Sequence, residues 1–248
     1  AKFEIGDGNF DIEVGVDPDY EALEMKVGSY INAEGKVVRD AADAVGIVFK
    51  MEAIGSDVPA NYPVALQGKT IAGYAVAIEN VATGRQVLNN AAMSSLVTTD
   101  ATVTNGTQAT DALLTGIGEV AFMTTYNSWV NEHPLDGESL SSWYIPTVDQ
   151  LGEFMGMLFK IGEVEPTGGQ AFREMPEFAF ENGVMFDRDP IESVYYASCT
   201  VNGSKDISGV IINVDKTTKQ VLDAKASSLK VTGSSQKALC RPMITIFK

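Results

Sequence analysis

The stretch that decides the fold is residues 142–151, SWYIPTVDQL. Its first half is extended in character and ends at Pro146, which fixes the direction from which the chain reaches the following segment. Its second half predicts the start of a helix, because Thr147 and Gln150 have the spacing of a capping box. In that motif the threonine oxygen accepts from the backbone N–H of Gln150, and the glutamine side chain reaches back to the cap. A helix then continues through residues 151–159.

Two later segments are predicted to be strands. They are residues 195–200, YYASCT, and residues 240–247, CRPMITIF. Both belong to a region rich in β-branched and aromatic residues and interrupted by turn-forming clusters, which is the pattern of consecutive strands. From residue 193 onward the sequence therefore predicts strands over 193–201, 207–214, 227–232 and 238–247.

Upstream of the decisive stretch the chain predicts a buried sheet and a helix. Residues 44–50, AVGIVFK, and residues 71–78, IAGYAVAI, are almost continuously apolar, which predicts neighbouring strands buried on both faces. Apolar residues recur at three- and four-residue steps over 107–131, which predicts an amphipathic helix. Residues 83–106 are rich in Asn, Thr, Ser and Gly and are predicted to form a long loop.

The composition excludes several classes of function. The 248 residues carry 33 acidic and 18 basic side chains, a formal net charge of −15. This balance argues against nucleic acid and against an anionic membrane surface as partners, because both require basic patches. No apolar run approaches the roughly 20 residues of a membrane span.

The residues that could carry chemistry are few. The single histidine, His133, excludes any two-histidine metal site, and its position after the long helix predicts a surface loop residue. The sequence contains neither a glycine-rich phosphate loop nor a nucleophile spaced from a base. We therefore expect no catalytic residues, no metal and no cofactor. The two cysteines, Cys199 and Cys240, leave two alternatives open: independent buried thiols or a cross-strand disulfide.

The three segments, in their order, resemble the frame "W-x-L-P-[ST]-x-x-E-L … Y-W-S-S-[ST] … V-R-P-V-x-x-F" of C-type-lectin-like domains. That frame closes many fimbrillin-like surface proteins of gram-negative anaerobes. Residues 29–49 and 73–78 also resemble the family's opening segment and its next strand, so the likeness extends over about 25–247. The chain departs from the frame at Gln150 and Tyr196, where the family has Glu and Trp, and at Cys199, where it has Ser or Thr.

The resemblance implies an α+β fold: a C-type-lectin-like mixed sheet with two main helices and long loops. Residues 25–248 would form this domain. Residues 1–24 would be an N-terminal β segment, either part of the domain or a linker. The calcium-binding triplets of the lectins (EPN, QPD and WND) are absent from the sequence, which argues against calcium-dependent sugar binding.

The function that the resemblance implies is adhesion. The protein would be secreted or held at the outer cell surface, after removal of a signal peptide that the sequence does not contain. As a fimbria-associated adhesin or binding module, it would recognise a glycan or a protein on a host or neighbouring cell. Two rivals are a structural pilus subunit, whose partners are other subunits, and a carbohydrate-active enzyme.

The ligand site is predicted on the second half of the chain. The residues proposed to contact a ligand are Tyr195, Tyr196, Asn202 and Lys205, beside the loop 83–106. Successive side chains of a strand alternate between its faces, so one of the two tyrosines is expected to face solvent.

Overall fold

The architecture is α+β, and the described residues form two sheets. The structure is a computed structural model that describes residues 23–81, 105–117, 121–160, 184–188, 191–201, 207–215, 217, 221–229 and 239–248. The strand pairs within both sheets are antiparallel, and an isolated parallel bridge joins Tyr196 to Leu239. The predicted N-terminal β segment, residues 1–24, lies outside the described residues except for its last two.

In the described part of the chain, the first sheet has five strands that come from distant parts of the sequence. The strands are β1 (Tyr30–Ile31), β2 (Val37–Val38), β3 (Gly46–Lys50), β4 (Ile71–Ala77) and β9 (Met243–Phe247). Their order is β2-β1-β3-β4-β9. Strand β9 thus pairs with β4 and not with its neighbours in sequence.

The prediction for the two apolar runs is confirmed, because β3 and β4 pair in this sheet and are buried on both faces. Along β4, Tyr74 and Val76 pack into one hydrophobic cluster with Phe154. Ala75 and Ala77 pack into a second cluster on the opposite face. The near-continuous apolar character of these segments follows from this two-sided burial.

The second sheet, as far as the structure describes it, is a run of four strands that pair in their order along the chain. The predicted strands at 193–201 and 207–214 are confirmed to within two residues. The predicted strand at 227–232 is displaced, because the observed strand begins six residues earlier and ends at Leu229. The strands are β5 (Val184–Arg188), β6 (Ile191–Val201), β7 (Ile207–Asp215) and β8 (Val221–Leu229).

The helices that the periodicity predicts are present, and the short helix at Val64–Gln67 is one that the sequence analysis does not predict. The expected helix over 107–131 is present as two helices on either side of residues 118–120, which lie outside the described part of the chain. The helix predicted after residue 147 is also present. The helices are α1 (Val64–Gln67), α2 (Gly106–Ile117), α3 (Ala121–Glu132) and α4 (Val148–Lys160).

The capping box at the start of α4 is confirmed in both directions. The backbone N–H of Gln150 donates to the Thr147 hydroxyl at 3.3 Å, and the backbone N–H of Thr147 donates to the Gln150 side-chain oxygen at 3.1 Å. Both side chains are buried, at 1% and 0% exposed. The cap therefore satisfies backbone donors in a place that water does not reach.

Replacing Thr147 by alanine is expected to lower the free energy of unfolding by about 1 kcal/mol, the usual effect of losing an N-cap. Urea denaturation of the variant and the wild type measures the difference. Asp149→Asn, an exposed substitution in the same turn, is the matched control and should change the stability less. A loss below about 0.3 kcal/mol for Thr147→Ala would contradict the capping role.

The three segments that resemble the lectin frame meet in space. Tyr144 and Met243 exchange two backbone hydrogen bonds, of 3.0 and 2.9 Å. The Cys199 N–H donates to the Pro146 carbonyl at 2.8 Å, and the Ala197 N–H donates to the Leu239 carbonyl at 2.9 Å. Residues 142–151 therefore lie between the second sheet and β9.

Candidate functional site

The expectation that one of the two adjacent tyrosines faces solvent is wrong. Tyr195 and Tyr196 are each 1% exposed. They do point to opposite faces of β6, but both faces are covered: Tyr195 packs in the cluster of Trp129, and Tyr196 in the cluster of Phe154. Neighbouring side chains of a strand point to opposite faces of the sheet, but one of them reaches solvent only when one face of the sheet is uncovered. In this conformation neither tyrosine presents a surface to a ligand.

The other predicted ligand residues lie outside the described part of the chain. This applies to Asn202 and Lys205, and to the loop 83–106 except for its last two residues. Their part in binding stays a prediction. Asn105, at the end of that loop, is buried and caps α2 by accepting from the N–H of Gln108 at 2.9 Å.

An open pocket of about 320 Å³ lies on the exposed side of α3. We call it the α3 pocket. The Ser128 hydroxyl donates to a carboxylate oxygen of Glu132 at 3.1 Å across one helical turn. Trp129 is only 6% exposed, so a small part of the indole reaches the pocket. Its wall thus combines apolar surface with hydrogen-bonding groups, contributed by Val81, Thr125, Ser128, Trp129 and Glu132.

Behind this pocket the indole of Trp129 is held by three contacts. The His133 ring stacks on it, with centroids 4.2 Å apart and planes 17° apart. The Trp129 Nε1–H donates to Glu79 Oε1 at 2.9 Å. The second tryptophan, Trp143, meets Trp129 edge to face at 5.1 Å, and its own Nε1–H donates to the His133 carbonyl at 2.8 Å.

His133 lies directly after α3, where the sequence predicts a loop, but its side chain is held by neighbours rather than fully solvated. Its side chain is 30% exposed, and its Nε2 atom lies 2.8 Å from Glu79 Oε1. The contact between His133 and Trp129 had a signal in the sequence, because the two residues are four positions apart at the end of the helix. The approach of Glu79 depends on how β4 and α3 pack, which no local pattern encodes.

A second polar cluster lies within the core and centres on Asp57, which is 3% exposed. Its Oδ2 atom accepts hydrogen bonds from the hydroxyls of Tyr62 at 2.5 Å and Tyr74 at 2.7 Å. Its Oδ1 atom accepts from the side-chain amide of Asn105 at 2.8 Å. A buried carboxylate needs such donors, because they replace the water that it loses on folding.

The hydrogen bonds of this cluster run in one direction. Because the Tyr62 proton goes to Asp57, the Thr245 hydroxyl, 2.8 Å away, must donate to Tyr62. The Thr245 oxygen then accepts from Tyr144 at 3.0 Å, and Tyr144 accepts from the Gln150 amide at 3.2 Å. A polarised chain of hydrogen bonds thus connects the α4 capping box to the carboxylate.

Burial gives this cluster a predictable response to alkali. It raises the pKa of the Tyr62, Tyr74 and Tyr144 hydroxyls above the ordinary range, and the charge of Asp57 raises all three further. Raised folded-state pKa values contribute stability below about pH 10, the ordinary value for tyrosine, and this stability is lost as the pH rises further. We expect phenolate absorbance and loss of tertiary structure to develop together above about pH 10. Phenolate formation by all eight tyrosines in a still-folded protein would contradict this.

The two cysteines lie in one hydrophobic cluster and carry thiols. Burial raises the pKa of the Cys199 thiol to about 12 and also raises that of Cys240. Neither is therefore a reactive thiolate at neutral pH. The disulfide is the other alternative that the sequence leaves open, and two titratable thiols in the denatured, unreduced protein would exclude it.

No helix in the described part of the chain has the length and apolar character needed to cross a membrane. No group of three or more His, Cys, Asp or Glu side chains is placed there to hold a metal ion.

The α3 pocket and the buried Asp57 cluster are thus two places in the described chain where polar side chains converge. Only the first is open to a ligand. Comparison of the chain with protein families, with curated proteins and with solved structures finds no match.

Proposed function

We propose that the protein is a cell-surface or fimbria-associated binding module that recognises a polar ligand, with a glycan as the first choice, and that it does so without turnover. The observation that carries the proposal is the α3 pocket. Its hydroxyls and carboxylate suit the hydroxyl groups of a sugar, and its valine and indole surfaces suit the apolar face of a sugar ring.

The C-type-lectin-like fold and an extracellular location are part of the same proposal. The resemblance of residues 142–151, 195–200 and 240–247 to the lectin frame supports it, as does the meeting of these segments in space. An acidic surface suits an exported protein, and the net charge of −15 disfavours nucleic acid as the partner.

A glycan array probed with the full chain provides the first test, and calorimetry with the best glycan provides the affinity. Glu132→Gln and Ser128→Ala remove pocket groups that lie on an exposed helical surface. Each is expected to weaken binding at least tenfold, about 1.4 kcal/mol, at an unchanged melting temperature. Glu138→Gln, an exposed carboxylate outside the pocket, is the matched control and should bind as the wild type does.

A third variant, Asn202→Ala, separates this site from the one predicted on the sequence. If Asn202→Ala weakens binding while the pocket variants do not, the ligand site lies at residues 202–205. Hydrolysis of the bound glycan would favour the carbohydrate-active enzyme. Absence of glycan binding, together with assembly of the pure protein into fibres, would favour the structural pilus subunit.

A further inference from the structure

The contacts of His133 determine its protonation. The ring Nδ1 atom lies 2.7 Å from the Trp129 carbonyl oxygen, and the Nε2 atom lies 2.8 Å from Glu79 Oε1. A carbonyl oxygen can only accept, so Nδ1 must carry a proton. Glu79 Oε1 already accepts from the Trp129 indole and, as a carboxylate, has no proton to donate. Both ring nitrogens therefore face acceptors, which only the doubly protonated imidazolium satisfies.

The charged ring supports Trp129, which forms part of the wall of the α3 pocket. The imidazolium stacks on the indole of Trp129, and Glu79 binds both rings through the same oxygen. When His133 loses a proton, either the bond to Glu79 or the bond to the Trp129 carbonyl is replaced by a repulsive contact between lone pairs. The indole then loses part of its support.

We propose that His133 is a proton-dependent positioning residue for the α3 pocket, so that the pocket binds its glycan more tightly when the imidazole is protonated. The effect on glycan binding rests on the proposed function. The change at Trp129 rests only on the contacts of His133. Imidazole is the side chain whose charge ordinarily changes between about pH 5 and pH 8, so this is the range over which the affinity is to be compared.

Three carboxylates lie in the segments around His133. The segment after β4 contributes Glu79, the carboxylate in contact. Helix α3 contributes Glu132, which accepts from Ser128 at the pocket. The loop after the ring contributes Asp136, which is exposed. All three are acidic, and Glu79 is the one whose carboxylate contacts the ring.

The first experiment needs no ligand. The chain has one histidine and two tryptophans, and both tryptophans contact His133, so one imidazole resonance and the indole fluorescence report on this site. We expect the fluorescence to rise with the same midpoint as the histidine titration, because a stacked imidazolium quenches an indole. His133→Gln should abolish the fluorescence transition, and Glu79→Gln should change it, because the carboxylate that contacts both rings is lost. Asp136→Asn is the control and should leave it in place.

The second experiment measures the affinity for the glycan from the array at about pH 5 and about pH 8. The wild type is expected to lose about fivefold or more in affinity over this range, while His133→Gln shows a smaller change. The inference would be overturned if the indole fluorescence did not change with the histidine titration. It would also be overturned if Glu79→Gln left the fluorescence transition unchanged. If no glycan binds, the proposed ligand fails, but the two titrations still decide whether His133 positions Trp129.

Discussion

Replacing Asp57 by alanine is expected to lower the free energy of unfolding by about 3 kcal/mol or more, the largest effect we expect from a single side chain of the core. The substitution leaves the hydroxyls of Tyr62 and Tyr74 and the amide of Asn105 without their acceptor, in a place from which water is excluded. Each buried donor left unsatisfied is destabilising by about 1–3 kcal/mol. Urea denaturation, with the slope checked for two-state behaviour, measures the loss.

Tyr196→Phe provides the control for this experiment. The Tyr196 hydroxyl is buried and has no hydrogen-bond partner among the described residues. Removing it should leave the stability unchanged or raise it slightly, because no hydrogen bond is lost and one buried polar group disappears. A loss for Asp57→Ala no larger than about 1 kcal/mol would show that the cluster contributes little.

Replacing Arg241 by methionine is expected to lower the free energy of unfolding by about 3 kcal/mol. Arg241 is 1% exposed. Its Nη1 atom donates to the carbonyls of Ala77 at 3.1 Å and Ile78 at 2.6 Å, and its Nε atom donates to the Asn80 side chain at 2.9 Å. Methionine fills part of the volume but satisfies none of these acceptors at the end of β4. Thermal and urea denaturation both report the change.

Arg241→Lys distinguishes the role of the charge from that of the shape. Lysine keeps the positive charge, but it lacks the planar fork that serves several acceptors at once. The expected order of stability is wild type, then lysine, then methionine. A methionine variant as stable as the wild type would mean that the carbonyls of β4 find other donors.

The parts of the fold that local sequence determines were predictable. The α4 cap depends on two residues three positions apart, and the strands β3 and β4 depend on continuous apolar runs. Strand β8 was placed too late because its sequence, VLDAKASSL, is not strongly apolar. Its bounds follow from pairing with β7, where Lys225 lies opposite Ile211, and such pairing is set by the whole sheet.

The candidate site was less predictable, for a related reason. Two of the contacts that define it join segments far apart in the chain: Glu79 with Trp129, and Asp57 with Asn105. A sequence pattern identifies a tryptophan, a histidine or an aspartate as a candidate, but it does not identify what covers it. The buried tyrosines of β6 show the same limit, since alternation gave their directions correctly and their exposure wrongly.

The pairing of β4 with β9 has a consequence for folding kinetics. The helices α2–α4 and the whole second sheet lie between these strands in the sequence. The hairpins of the second sheet join neighbouring segments and can form early, whereas β9 must close a very long loop, which slows folding. Until residues 243–247 are synthesised, β4 keeps an unpaired edge, and such edges favour aggregation. We therefore expect the slow step of folding to be the docking of β9, and a chaperone that shields β4 until then to raise the yield of folded protein.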